Sequence, residues 1–198
     1  MNAAADYAVA TSLLTRPLPA YVSYVDHTSG GWGPFQGAHQ ATVVVDVRRG
    51  RIISGKPTAI HIATGNDSTG TWGDEDAVTH PAFRPRCYDA TAAQAATYDG
   101  RPAERIALAG HCGDDHDKKD EDFSALYVDP STHVPIAAVG HDEDDHVDVT
   151  LEEHFTQVAD HVVPAALRVK VLGSGWMAWL DVTARVEYTD YRFSDQPF

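Results

Sequence analysis

The sequence predicts a mainly β fold of the α+β class over 1–198, a curved antiparallel sheet or half-open β-barrel with an N-terminal helix. Three observations predict it. Runs of β-branched and aromatic residues at period two recur along most of the chain. Short turn signals separate them, and a helical pattern occurs only at the start. Strict alternation gives each strand one dry and one wet face, which favours antiparallel hairpins over a buried parallel sheet.

The elements follow in order. Residues 3–15 are rich in helix formers, and Tyr7, Leu13 and Leu14 can share one helical face. Arg16-Pro17-Leu18-Pro19 stops that helix, because proline disfavours helical geometry in the residue before it. Ala20 to His27 is aromatic and β-branched, and Ala41 to Arg48 sets Val43, Val45 and Val47 against Thr42, Asp46 and Arg48. Arg49-Gly50-Arg51 turns the chain into Ile52-Ile53. Asp99-Gly100 is a strong hairpin dipeptide between Ala95–Tyr98 and Ala103–Ala109. Pro130-Ser131-Thr132-His133 joins two more runs, Phe123–Asp129 and Val134–Val139. Val147, Val149 and Leu151 alternate with acids and Thr150, and Leu167, Val169 and Val171 with Arg168 and Lys170. After Gly173-Ser174-Gly175, Val182, Ala184, Val186 and Tyr188 share one face. Tyr191 and Phe193 then fall on the other parity, which predicts a bulge near Thr189-Asp190. Residues 64–86 are the least regular, as functional connections often are.

Composition narrows the function. A hydrophobic fraction of 43% supports a globular core rather than disorder. With 29 acids against 15 bases the formal charge is −14, a surface that repels phosphate backbones and excludes nucleic acid as the natural partner. No apolar run is long enough for a membrane-spanning helix. Met1 to Asp6 has neither the basic nor the apolar part of a signal peptide, so a mature start is expected here. Cys87 and Cys112 bracket one strand-turn-strand unit. Their pairing predicts a disulfide and an extracytoplasmic location, periplasmic or secreted; the alternative is two buried thiols.

Two acid-histidine clusters are candidate metal sites: His111, Asp114 and His116 in one, His141, Asp142, Asp144 and His146 in the other. Carboxylates suit calcium, and histidine with aspartate suits zinc. Neither has EF-hand or HExxH spacing, and both lie between strand signals, where charged loop tips serve solubility. The expectation is no cofactor beyond weak divalent-cation binding. Gly173-Ser174-Gly175 is not a GxSxG elbow, and Gly30-Gly31-Trp32-Gly33 is not a phosphate loop. A hydrolase with an unrecognised site is the remaining alternative.

The order of these signals carries a resemblance. A helix leads into Tyr21-Val22-Ser23-Tyr24-Val25, followed by a long strand and the Arg49-Gly50-Arg51 hairpin. Leu126-Tyr127-Val128-Asp129-Pro130-Ser131-Thr132-His133-Val134-Pro135 comes later, and Glu187-Tyr188-Thr189-Asp190-Tyr191-Arg192-Phe193 closes the chain. In these features the chain resembles the LolA/LolB-like superfamily of cell-envelope proteins. The resemblance implies a half-open, strongly curved sheet with helices plugging its concave side. It also implies a non-catalytic carrier of a lipid, a lipoprotein acyl chain or another hydrophobic small molecule. On that expectation the ligand-binding face carries Val43, Val45, Val47, Val182, Ala184, Val186 and Tyr188, partly covered by the helix at Leu13 and Leu14. The acidic, histidine-rich clusters depart from a carrier's pattern and keep a divalent-metal-binding envelope protein as the alternative.

Overall fold

A computed structural model describes residues 2–32, 35–57, 60–63, 69–72, 76–112, 123–144 and 147–198. The chain opens with helix α1 (Ala3–Leu14), capped by the Asn2 side chain, which accepts a hydrogen bond from the Ala5 amide at 3.3 Å. The Asp6 carboxylate accepts in return from the Asn2 amide at 2.9 Å, so two orphan donors of the first turn are satisfied. The strands are β1 (Tyr21–Trp32), β2 (Phe35–Asp46), β3 (Arg51–Ser54), β4 (Ile60–Ala63), β5 (Thr69–Trp72) and β6 (Tyr88–Tyr98). They continue with β7 (Arg101–Gly110), β8 (Phe123–Val128), β9 (Pro135–Asp144), β10 (Val147–Val158), β11 (His161–Gly173) and β12 (Asp181–Ser194).

Ten of these strands form one antiparallel sheet in the order β3-β2-β1-β12-β11-β10-β9-β8-β7-β6, which does not close; β4 and β5 pair separately. The mainly β class, the open sheet and the N-terminal helix therefore stand as the alternation indicated. β1 and β2 run further than the sequence suggested, pairing from Tyr21↔Asp46 to Trp32↔Phe35 through a glycine-rich stretch that propensity disfavours. Sheet pairing on both sides of β1 overrides that local preference.

The turns obey local chemistry. Asp99 and Gly100 both have positive φ, 47° and 76°, the geometry of a two-residue hairpin turn matched to strand twist. In the β8–β9 connection the Asp129 carboxylate accepts from the amides and hydroxyls of both Ser131 and Thr132, which holds its pKa well below the usual carboxylate range. Asp46 was expected on the wet face, yet it is buried, because it accepts from the Arg49 amide and closes the turn after β2. Val47 belongs to that turn and packs only partly against the core.

The curvature follows from the position of α1. The helix packs against β6, β7, β9 and β11, and β6 and β11 lie five positions apart in the sheet. In a flat sheet that separation is about 24 Å, whereas a helix is about 10 Å across. Even laid across the strands, a 12-residue helix is only about 18 Å long, so its contact with both strands fits a sheet that curls toward it. The inward face of α1 is Tyr7, Ala10 and Leu14; Leu13, rotated by about 100° from Leu14, is half-buried.

Cys87, at the end of a short 3-10 turn before β6, is bonded to Cys112 just beyond β7, and the His111 amide donates to the Cys87 carbonyl at 2.9 Å. The bridge thus ties the segment entering β6 to the open end of its hairpin. Thiol titration of the unfolded, unreduced protein is expected to find no free sulfhydryl. Reduction should then cost about 3 kcal/mol by the loop-entropy argument. Two titratable thiols in protein made under oxidising conditions would refute the pairing.

Candidate ligand-binding face

Registers across the sheet define its inner face. Ala93, Ile106, Leu126, Ala138, Glu153, Leu167 and Val186 lie opposite one another in succession from β6 to β12. The row is apolar except at Glu153. All but Ala93 are buried, and Ala93 packs against the same core.

The side of this face toward β6 is filled by Phe83, which is 1% exposed. Its ring stacks on Tyr88 of β6 and meets Phe123 of β8 and Phe155 of β10 edge-on. The Glu153 carboxylate holds this segment in place, accepting from the Phe83 amide at 2.6 Å and the Ala82 amide at 3.2 Å. Burying a carboxylate is costly unless it is hydrogen-bonded, and two backbone amides supply that here.

The side toward β3 carries an aromatic group. Tyr24 is fully buried, meets Tyr188 edge-on at 5.7 Å and lies 5.5 Å from Tyr191, and its hydroxyl accepts from the Ala77 amide. The pairing of β1 with β12 shifts so that Tyr24 faces both Asp190 and Tyr191. Asp190 has φ 53°, and this bulge returns Tyr191 to the inner side after the phase slip read in the sequence. Burial pushes the Tyr188 and Tyr191 hydroxyls well above their ordinary pKa.

The expected face residues are distributed over this surface. Val43, Val45 and Val186 are fully buried; Ala184 and Tyr188 are each 7% exposed; Val47, Val182 and Leu14 are half-buried against the core. The helix packs along β6, β7, β9 and β11, so it is the segment at Ala77–Phe83 that reaches Tyr24 and the β1–β12 part of the face. Leu13 lies outside the core cluster.

The expected metal residues do not form one described cluster. His111 is exposed at the end of β7. His141 Nδ1 lies 3.2 Å from Asp148 Oδ1 across β9 and β10. Asp142 and Asp144 belong to the end of β9, and Asp114, His116 and His146 lie outside the described residues. Among the described residues, no three His, Cys, Asp or Glu side chains converge as metal ligands would.

On the opposite face Tyr98 Oη and Glu152 Oε2 both lie 3.2 Å from the same ring nitrogen of His154, with Arg168 Nη1 3.7 Å from Glu152. This cluster ties β6 to β10, and its hydrogen bond from His154 lowers the Glu152 pKa.

The acids of the inner face were missed in the sequence although the alternation contained them. Asp26 follows Val22 and Tyr24 in phase, Glu153 follows Val149 and Leu151, and Glu104 precedes Ile106 and Leu108. All three are buried. Asp26 accepts from the Thr28 hydroxyl at 2.8 Å. Glu104 faces Asp6 of α1 and His133 of the β8–β9 turn; burial raises its pKa first, the Asp6 carboxylate raises it further, and His133 opposes. A carboxyl whose pKa is raised by folding stabilises the fold while protonated, and that contribution is lost as pH rises through the folded value. Glu104→Gln, neutral at every pH, is therefore expected to be more stable than wild type near pH 7. The difference should shrink toward about pH 4, where the wild-type carboxyl is protonated. Thermal unfolding across this range checks it, and superimposable profiles would refute it.

The sequence itself matches no family model and no curated protein. The structure does resemble solved structures over nearly its whole length. A putative outer membrane lipoprotein-sorting protein domain from Vibrio parahaemolyticus has TM-score 0.57 at 10% identity, over 100% of this chain and 95% of that one. A DUF1329 family protein from Desulfovibrio piger has TM-score 0.51 at 9% identity, over 98% and 94%. A LolA superfamily protein from Nitrosomonas europaea has TM-score 0.50 at 11% identity, over 100% and 96%. The resemblance read from the motifs thus holds at the level of architecture: the chain has the LolA-like fold.

Proposed function

We propose that this protein is a non-catalytic binding protein of the cell envelope that takes an acyl chain or similar apolar ligand against the concave face of its sheet. One observation carries the reading: a broad apolar face on an unclosed sheet is covered by short segments outside the sheet, α1 and residues 76–87. Covers of this kind can leave without breaking a strand pair. The likeness to a lipoprotein-sorting domain supports it. The Cys87–Cys112 bridge fits an oxidising compartment, periplasmic in this reading. No described helix is long and apolar enough to cross a membrane.

The energetics of exchange are balanced. The inward face of α1 offers Tyr7, Ala10 and Leu14, with a hydrogen bond from the Tyr7 hydroxyl to the Pro85 carbonyl and one from Arg16 to the Asp160 carbonyl. Two large half-buried side chains contribute on the order of 3 kcal/mol, which about four buried methylenes of a ligand would offset. An acyl chain of ordinary length exceeds that.

Binding of a fluorescent fatty acid, measured beside thermal unfolding, tests this. Leu14→Ala should destabilise the protein by about 2 kcal/mol and tighten ligand binding, because the cover is easier to displace. Ala184→Trp should fill the ligand's place and abolish uptake, at a stability cost of about 1–3 kcal/mol. Absence of wild-type uptake at any concentration would leave a packed β scaffold and end the carrier reading.

A further inference from the structure

The connection between β11 and β12 is a built aromatic turn. Trp176 and Trp179 are 71% and 59% exposed, while the residues interleaved with them, Met177 and Leu180, are 9% and 8% exposed and belong to the core cluster. Two apolar residues thus anchor the turn, and two large indoles on it stay more than half exposed. The backbone is fully organised: Gly173 N donates to Leu180 O, Met177 N to Ser174 O, Ala178 N to Gly175 O and Leu180 N to Met177 O, all within 3.3 Å. A Cβ on Gly173 would lie 1.9 Å from the Met177 carbonyl oxygen, and Gly175 has φ 57°, so both glycines are required by this geometry. From Gly173 to Leu180 the turn carries no charge.

The register sets further features at the same end of the sheet. Trp32 ends β1 opposite Val182, two residues after Leu180, and Phe35 begins β2 opposite Trp32. Asp142, Glu143 and Asp144 close β9 at the same end, since Val147 pairs with both Asp144 and Gly173.

We infer that the Trp176–Trp179 turn docks the protein onto the interfacial region of a lipid bilayer, with preference for zwitterionic over anionic headgroups. Indoles partition to the boundary between headgroups and acyl chains, where an apolar ring and a polar N–H are both accommodated. Two partly exposed indoles present on the order of 300 Å². A stable protein interface needs about 800 Å² from each partner, so a turn of this size suits shallow insertion better than a second protein. The acids beside the turn and the −14 formal charge of the chain set the headgroup preference.

Trp176 and Trp179 lie outside the core cluster that forms the ligand face, so fatty-acid uptake in solution and vesicle docking are independent readouts of the indoles. The test is co-sedimentation of the full chain with phosphatidylcholine vesicles, with quenching of tryptophan emission by brominated phosphatidylcholine. Wild type should partition and be quenched. Adding phosphatidylglycerol should weaken binding, and salt should reduce that difference. The double variant Trp176→Ser/Trp179→Ser should lose at least about tenfold in partition coefficient with an unchanged melting temperature. Trp176→Tyr/Trp179→Tyr should retain most of it. Three results would overturn the inference. The wild type could fail to partition or show no quenching at millimolar lipid. The serine variant could partition as wild type does. Or sedimentation could show wild-type self-association that the serine variant abolishes, which would assign the turn to a second copy of the chain.

Discussion

An open, strongly curved sheet has an inner surface that it cannot cover by itself, and much of this structure answers that constraint. Ten strands pair edge to edge without closing, so the inner rows of Val, Leu, Ile and Tyr need covers from elsewhere in the chain. Helix α1 covers the strands from β6 to β11, and Phe83 fills the space among β6, β8 and β10. The backbone that carries Phe83 has no strand partner at that point, and its amides would be buried unsatisfied. Glu153 resolves this by accepting from two of them, at the one polar position in an otherwise apolar row.

The two ends of this covering segment are held differently. At one end the Ala77 amide donates to Tyr24, whose neighbours Tyr188 and Tyr191 are brought together by the bulge at Asp190. At the other, Cys87 is covalently joined to Cys112. The helix is held by fewer groups, mainly Tyr7, Ala10, Leu14 and a pair of side-chain contacts to backbone carbonyls. Glu104, buried beside Asp6, places a carboxyl pair under the first turn of the helix. The two covers are thus held by different means, α1 by side-chain packing and hydrogen bonds and residues 76–87 by Tyr24, Glu153 and the disulfide.

Much of the candidate site was legible once parity was followed. Val43, Val45, Ala184, Val186 and Tyr188 lie on the inner face because side chains alternate along a strand, and the bulge near Asp190 was visible as a break in that alternation. The same rule placed Asp26, Glu104 and Glu153 inward, but an acidic side chain reads as solvent-facing until a partner for it is known. Leu13 and Leu14 could not be separated by composition; the helix turned Leu14 inward and Leu13 aside when it met Tyr7 and Ala10 on one stripe.

By itself the sequence determined the class of fold, the hairpin at Asp99-Gly100, the end of the helix and the pairing of the cysteines. Each of these depends on alternation, turn conformation or a covalent partner within a short stretch of chain. Only the tertiary structure decided the curl of the sheet, the placement of Phe83, the hydrogen bonds of Glu153 and the exposure of Trp176 and Trp179. Those depend on which distant segments meet. Phe83 and Glu153 are 70 residues apart in the chain, and no local pattern encodes a contact of that separation.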